Sequence, residues 1–225
     1  MVKIFMDLEM NPISKNFNID RNLCRNEVIQ IGAVALDDNS SFIGEYEQMV
    51  KPQFSIAVAS KVFHLTGITS DMVRNGLSFE KAMNDFSNWC DRISGNNPYE
   101  IYAWSDNDLI QLQQEMLIKE LTYFFDMQFM NVWTDFQYIF CNLLGINAVL
   151  SLDKAVQALD MNFTGSQHSA LSDAMNTAKL YLMVQNKEAF DKVMQPIKEM
   201  MEPSEPIGTQ LGSVFNLEMF DFNDN

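Results

Sequence analysis

From Ile4 to Met10 the chain runs Ile-Phe-Met-Asp-Leu-Glu-Met, an apolar segment broken only by Asp7 and Glu9. A strand has a side-chain period of two, so Val2, Ile4, Met6 and Leu8 face one side and Asp7 and Glu9 the other. One face asks for a core, and the other carries two neighbouring carboxylates that repel unless a cation sits between them. Any fold that accepts this strand near the middle of a sheet must answer that charge.

The next segments supply the sheet. Residues 27–38 are rich in β-branched side chains and end in Asp37-Asp38-Asn39-Ser40, which is turn chemistry. Residues 42–50 alternate and pair with them as a hairpin. The polar stretch 10–26, with Pro12 and several Asn, reads as a loop carrying Lys15, Arg21 and Arg25. Beyond residue 77 the pattern turns mostly helical. Ser78 opens a helix through Ile93 whose apolar stripe includes Phe79, Ala82, Met83, Phe86 and Trp89. A short strand at 100–104 precedes a helix from about Asp108. Thr134 and Gln137 have capping-box spacing for a helix closed by Gly145, Ser151 opens a short helix, and 170–186 a longer one. Strands first, then strand and helices in alternation, indicate an α/β fold, a mixed sheet flanked by helices.

Size and composition bound the rest. The 225 residues fit one domain, expected over 1–200, with an acidic C-terminal tail at 201–225. No apolar stretch reaches the roughly eighteen residues that a membrane span needs, and the N-terminus has no secretory pattern. Cys24, Cys90 and Cys141 are odd in number and lack CxxC spacing, so they read as reduced thiols of a cytoplasmic protein. The formal net charge of −15 argues against broad polyanion binding, which rests on Lys and Arg neutralising phosphates. The tail segment 214–222 (VFNLEMFDF) is apolar enough to dock on a protein partner.

Three further segments bear on the charge carried by Asp7 and Glu9. In YAWSDND (102–108) a strand end delivers Asp106 and Asp108 to a helix start, where the ordinary role of Asp108 is capping with Ser105. In HSALSDA (168–174) His168 lies in a loop and Asp173 in the first helical turn, where an acidic side chain favours the helix dipole. Asp173 also neighbours a small-residue stripe of Ala170, Ala174 and Thr177, the kind of surface that approaches a sheet closely, so its carboxylate wants a compensating cation. In FHLTGITSDMV (63–73) Gly67 is a plausible helix cap. Three carboxylates about 5 Å apart at an effective dielectric near 20 repel by roughly 3 kcal/mol per pair, or about 10 kcal/mol together. That rivals the roughly 5–15 kcal/mol stability of a whole domain. If Asp7, Glu9 and Asp173 converge, they hold protons or a divalent metal, and oxygen-only ligands suit Mg²⁺ or Mn²⁺.

Taken together, DxE on the first strand, EVIQIGAV about twenty residues on, LTGIT, an Asp after WS and a late HxxxxDA resemble the DEDDh 3′–5′ exonuclease family. The stretch WSDND is most similar to its sporulation-inhibitor and histone-mRNA exoribonuclease branch. The resemblance spans about residues 2–185. It implies a ribonuclease H-like mixed five-stranded sheet, with Asp7, Glu9, Asp173 and Asp108 holding two Mg²⁺ (or Mn²⁺) ions and His168 as general base. Asp106 is the rival of Asp108. Leu65, Thr66, Gly67 and Met10 are the candidate contacts to the terminal nucleotide, and His64 is structural or a minor contact. The implied activity is release of nucleoside 5′-monophosphates from single-stranded 3′ ends, RNA before DNA. The alternatives are a single-stranded DNA exonuclease in repair or proofreading, and a non-catalytic regulator that binds a protein partner.

Overall fold

Strand β1 (Val2–Pro12) is the spine of the molecule. It runs antiparallel to β2 (Asn26–Leu36) on one side and parallel to β5 (Tyr99–Ala103) on the other. The computed structural model describes residues 1–17, 22–146 and 149–201, with side chains as far as Gln195. Strand β2 continues antiparallel into β3 (Phe42–Lys51), so the first three strands form the expected meander. Two short strands complete the sheet: β4 (Leu77–Ser78) beside β3 and β6 (Trp133–Asp135) beside β5. Among the described residues the order is β4-β3-β2-β1-β5-β6, six strands where five were expected. Edge strands of two and three residues are too short to show an alternation, and short edges also limit edge-to-edge pairing with other chains.

The expected loop at 10–26 begins and ends inside the sheet. Asn11 pairs with Glu27 and Pro12 with Asn26, so the ladder outlasts the apolar pattern that revealed it. Between Glu9 and Met10 the register shifts, leaving Ile29 as the extra residue on β2. Ile29 is fully buried with Ile68 and Val73 beneath α1 (Ser60–Thr66) and α2 (Ser70–Arg74). The bulge therefore creates the seat for these two short helices.

The core has two layers, one per sheet face. Ile4, Met6 and Leu8 pack with Ala82 and Phe86 of α3 (Phe79–Ser94), Leu112 of α4 (Asn107–Ile118) and the 3₁₀ residues Phe124 and Phe129. On the other face Phe5 and Val34 meet Phe136 and Phe140 of α5 (Phe136–Leu143), Val156 of α6 (Leu152–Ala158) and Ala178 of α7 (Ala170–Gln185). Each large apolar side chain fully buried here contributes about 1.5–3 kcal/mol. Helix α5 is capped by Asp135, whose carboxylate accepts from the Tyr138 amide, and not by the Thr134–Gln137 box. Thr134 is taken up by β6, and Gln137 donates to the Leu150 carbonyl. A last helix, α8 (Lys187–Met201), extends past the expected end of the helical part. Residues 202–225 of the expected tail, including 214–222, and Arg21 lie outside the described residues. Among the described residues no helix is long and apolar enough to cross a membrane.

Candidate active site

The acidic pair sits where two elements are pressed onto the sheet. Asp7 lies opposite Gly32 and Glu9 opposite Gln30. A Cβ at Gly32 would stand 2.6 Å from the Ala170 carbonyl oxygen and closer still to the Leu171 nitrogen, so the first turn of α7 rests directly on that glycine. The Ala170 amide donates to Gln30 Oε1 at 3.2 Å and ties the same turn to the strand. Ala170, Ala174, Thr177 and Ala178 are buried, so the small-residue stripe is the contact surface it promised to be. This docking brings Asp173, in the first turn, over the carboxylates of β1.

His168 precedes α7 in a loop with its own anchors. The Asn176 side chain, nearly fully buried, accepts from the Thr164 amide and donates to the Thr164 carbonyl, both at 2.9 Å. His168 itself is exposed and has φ of 60°, a left-handed conformation that costs a non-glycine residue about 1 kcal/mol or more. One donor atom each from Glu9, His168 and Asp173 lie within 4.8 Å of one another. Asp153 and Ser151, at the start of α6, line the cleft beside His168 and Asp173.

Asp108 enters from the other side of β1. It lies in the first turn of α4 and is 6% exposed, while Asp106 is the exposed N-cap residue and makes no side-chain cap. Asp108, then, is the carboxylate that joins the group. Its carboxyl accepts from the Leu8 amide, which counts against protonation, yet burial and the charges of Glu9 and Asp173 push it up to about 8. Burial, then Asp108, Asp173 and Glu9, holds the Asp7 carboxyl well above the usual range. Burial and Asp173 raise Glu9 to about 7. For Asp173 burial dominates again; the His168 backbone amide opposes it, Asp153 adds to it, and the result is about 7. Four carboxyls thus resist ionisation together, so a neighbouring cation would be stabilising there. One oxygen states this directly: among the described residues, buried Asp173 Oδ1 has no hydrogen-bond partner. A buried acceptor left open beside four carboxylates fits a divalent cation of the Mg²⁺ or Mn²⁺ kind.

The candidate nucleotide contacts are more peripheral. Leu65 and Thr66 end α1, and Gly67 caps it with φ of 72°. Leu65 is about half exposed, whereas the Thr66 hydroxyl is engaged locally, donating to Val62 and accepting from the Ile68 amide. Met10 points away from the carboxylates and packs against the first core layer. His64 bonds back to Ser60 within its own helix. Gly32, Gln30 and Asn176 went unnoticed in the sequence, although a glycine inside an apolar strand is a recognised sign of close backbone approach.

Four carboxylates thus converge about the central strand of a mixed sheet, with a histidine at the rim, an arrangement suited to holding a divalent cation. The profile of the RNase T exonuclease family matches residues 4–181, and the chain belongs to that family. ERI1 exoribonuclease 2 of Homo sapiens is 28% identical over 173 residues, covering 68% of this chain and 24% of the relative. The probable 3′–5′ exonuclease KapD of Bacillus subtilis is 24% identical over 172 residues, covering 76% of this chain and 79% of that one. The chain spans about a quarter of the length of the ERI1 exoribonuclease 2 relatives. Among solved structures, the nuclease domain of 3′hExo, a DEDDh family member bound to rAMP, superposes with a TM-score of 0.69 at 20% identity. That match covers 82% of this chain and 92% of the other, and it shows a shared fold.

Proposed function

We propose that this chain is a metal-dependent 3′–5′ exonuclease that releases nucleoside 5′-monophosphates from single-stranded nucleic acid, RNA in preference to DNA. The carrying observation is the convergence of Asp7, Glu9, Asp108 and Asp173 with a buried, unpartnered oxygen on Asp173. The RNA preference is supported by the exoribonuclease relatives and by rAMP in the neighbouring structure. The exonuclease unit is residues 1–200 and 201–225 is a tail; three free, buried cysteines suit a cytoplasmic setting.

Asp7, Glu9, Asp108 and Asp173 would hold two Mg²⁺ or Mn²⁺ ions, which when bound supply Lewis-acid activation of water and neutralise charge on the phosphodiester. His168, exposed at the rim within reach of Glu9 and Asp173, takes the proton of the attacking water as general base. Its imidazole belongs to an exposed residue, so the proton can leave to bulk water. Leu65 and the Gly67 turn offer the terminal base an apolar edge. The acidic exterior disfavours long duplexes and leaves short single-stranded ends as substrates.

The test is nucleotide release from 5′-labelled single-stranded RNA and DNA with Mg²⁺, Mn²⁺ or EDTA. A ladder shortening from the 3′ end and abolished by EDTA is expected, with RNA the faster substrate. His168→Ala should lower kcat by about 10²–10⁴-fold while Mn²⁺ still binds. Intact substrate after incubation with folded, metal-loaded protein would overturn the reading. The same assay separates the two candidates at the start of α4. Asp108→Asn should cost about 10²-fold or more, and exposed Asp106→Asn less than about threefold; the reverse order would reassign the fourth carboxylate.

A further inference from the structure

The segment between β3 and α1 belongs to neither, and its backbone raises an accounting question. Residues 53–59 have no ladder and no helix of their own, yet Ser55 is buried and Phe54, Val58 and Ala59 are half-buried, and N–H and C=O groups withdrawn from water need partners. Three side chains provide them, one of them Ser70 of α2, whose hydroxyl accepts from the Val58 amide at 3.0 Å. Glu27 of β2, with no exposed surface, accepts from the amides of Gln53 at 2.6 Å, Phe54 at 3.0 Å and Ser55 at 2.9 Å. Asn11 of β1, equally buried, donates to the carbonyls of Ser55 at 3.1 Å and Ala57 at 3.2 Å and accepts from the Ala59 amide at 2.8 Å. Ala59 is the N-cap residue of α1 and makes no side-chain cap, so the start of that helix is held by Asn11.

Asn11 stands two residues after Glu9, on the face of β1 that carries Asp7 and Glu9, while Met6, Leu8 and Met10 pack on the other. One strand therefore presents in sequence two carboxylates and then the amide that fixes α1. The three hydrogen bonds use both hydrogens and the oxygen of the Asn11 side chain, a set that neither Asp nor Ala can reproduce. Glu27 is itself fixed by Lys119, 3.1 Å away near the end of α4, and Lys119 also pairs with Glu115 at 2.6 Å. Glu115 in turn accepts from the Val28 amide. The clamp is thus tied to the helix whose first turn carries Asp108.

We propose that Asn11 is a positioning residue: its side-chain amide sets α1, and with it the Leu65–Gly67 end, at a fixed distance from the acidic centre, and so places the terminal nucleotide against the carboxylates. This rests on the exonuclease reading for its nucleotide half; the clamp itself does not. An interaction lost equally from ground and transition states raises KM and leaves kcat unchanged, which separates Asn11 from the carboxylates and from His168.

The experiment compares wild type, Asn11→Ala and Asn11→Thr, the last keeping one donor and one acceptor on a shorter side chain. Amide hydrogen exchange of the full chain is measured alongside Mn²⁺ affinity and steady-state kinetics on a short single-stranded RNA. In Asn11→Ala, exchange over residues 55–66 should accelerate at least tenfold while the β1–β2 ladder around Met6–Leu8 keeps its protection. KM should rise about tenfold, the mark of a loosened subsite that binds ground and transition state alike, with kcat and Mn²⁺ affinity within about threefold of wild type, and Asn11→Thr should recover part of both effects. Unchanged exchange over 55–66 overturns the clamp. Faster exchange with unchanged KM overturns the positioning role, as does a fall in kcat at constant KM. If Asn11→Ala does not fold, the same criteria apply to Asn11→Thr. A wild type that degrades no oligonucleotide overturns the exonuclease reading and the nucleotide half together, and the exchange result still decides the clamp.

Discussion

Asp7→Asn is expected to lower kcat by about 10³-fold with Mg²⁺ present and, in EDTA, to make the protein more stable than wild type. Both effects follow from one fact: the Asp7 carboxyl is disfavoured as an anion by burial and by Asp108, Asp173 and Glu9. An amide of the same shape removes the repulsion and also removes the ligand. The metal-free wild type carries a related pH signature. Asp108 at about 8, and Glu9 and Asp173 at about 7, bind protons more tightly folded than unfolded, where carboxyls titrate near 4. Between these limits the native state holds more protons, so stability is full at low pH and is lost as pH rises through the folded values. Buried Glu115, raised to about 6, adds in the same direction. Thermal melts in EDTA should therefore fall by about 5 °C or more from pH 5 to pH 8 in wild type, by less in Asp7→Asn, and Mg²⁺ should restore wild type alone. A metal-free wild type that is equally stable at both pH values would refute the convergence of charge.

Gly32→Ala is the second large expected effect, and it involves no chemical group. The added methyl has no room: it meets the backbone of Ala170 and Leu171, and backbone cannot step aside as a flexible side chain can. Either the first turn of α7 lifts or the strand bends, at a cost of about 1–3 kcal/mol. Asp173 and His168 ride on that turn and its preceding loop, so displacement by about 1 Å should cost roughly 10²-fold in rate. Melting curves, nuclease rates and Mn²⁺ titrations on the variant would show a lower midpoint, slower cleavage and weaker metal binding together. Full activity with a lowered midpoint would mean that the acidic centre tolerates a shift of α7, against the close packing described.

Periodicity made the central elements legible. The alternation through Leu8 placed Asp7 and Glu9 on one face, and the Ala170–Ala174–Thr177 stripe marked the helix that lies against the sheet. What escaped is what periodicity does not encode. Strands β4 and β6 span two and three residues. Asn11 fell in the expected loop and Glu27 opened the expected strand, yet neither polar side chain looked like a core residue; both are fully buried, each made tolerable by hydrogen bonds to a segment more than 25 residues away. The cap of α5 shifted by one residue because β6 claimed Thr134 for its ladder with Tyr102.

The choice between Asp106 and Asp108 marks the division most sharply. Both follow the same strand end, and local spacing treats them alike; a turn of helix over β1 leaves one in solvent and sets the other among the carboxylates. Sequence alone determined the residue types, their strand and helix placement, and through charge repulsion the need for a cation if the carboxylates met. Whether they met depended on contacts between residues 140 or so positions apart, the seat of Ala170 and Leu171 on Gly32 and the bond from Ala170 to Gln30. Such contacts are steric and carry no local pattern, so only the folded chain could decide them.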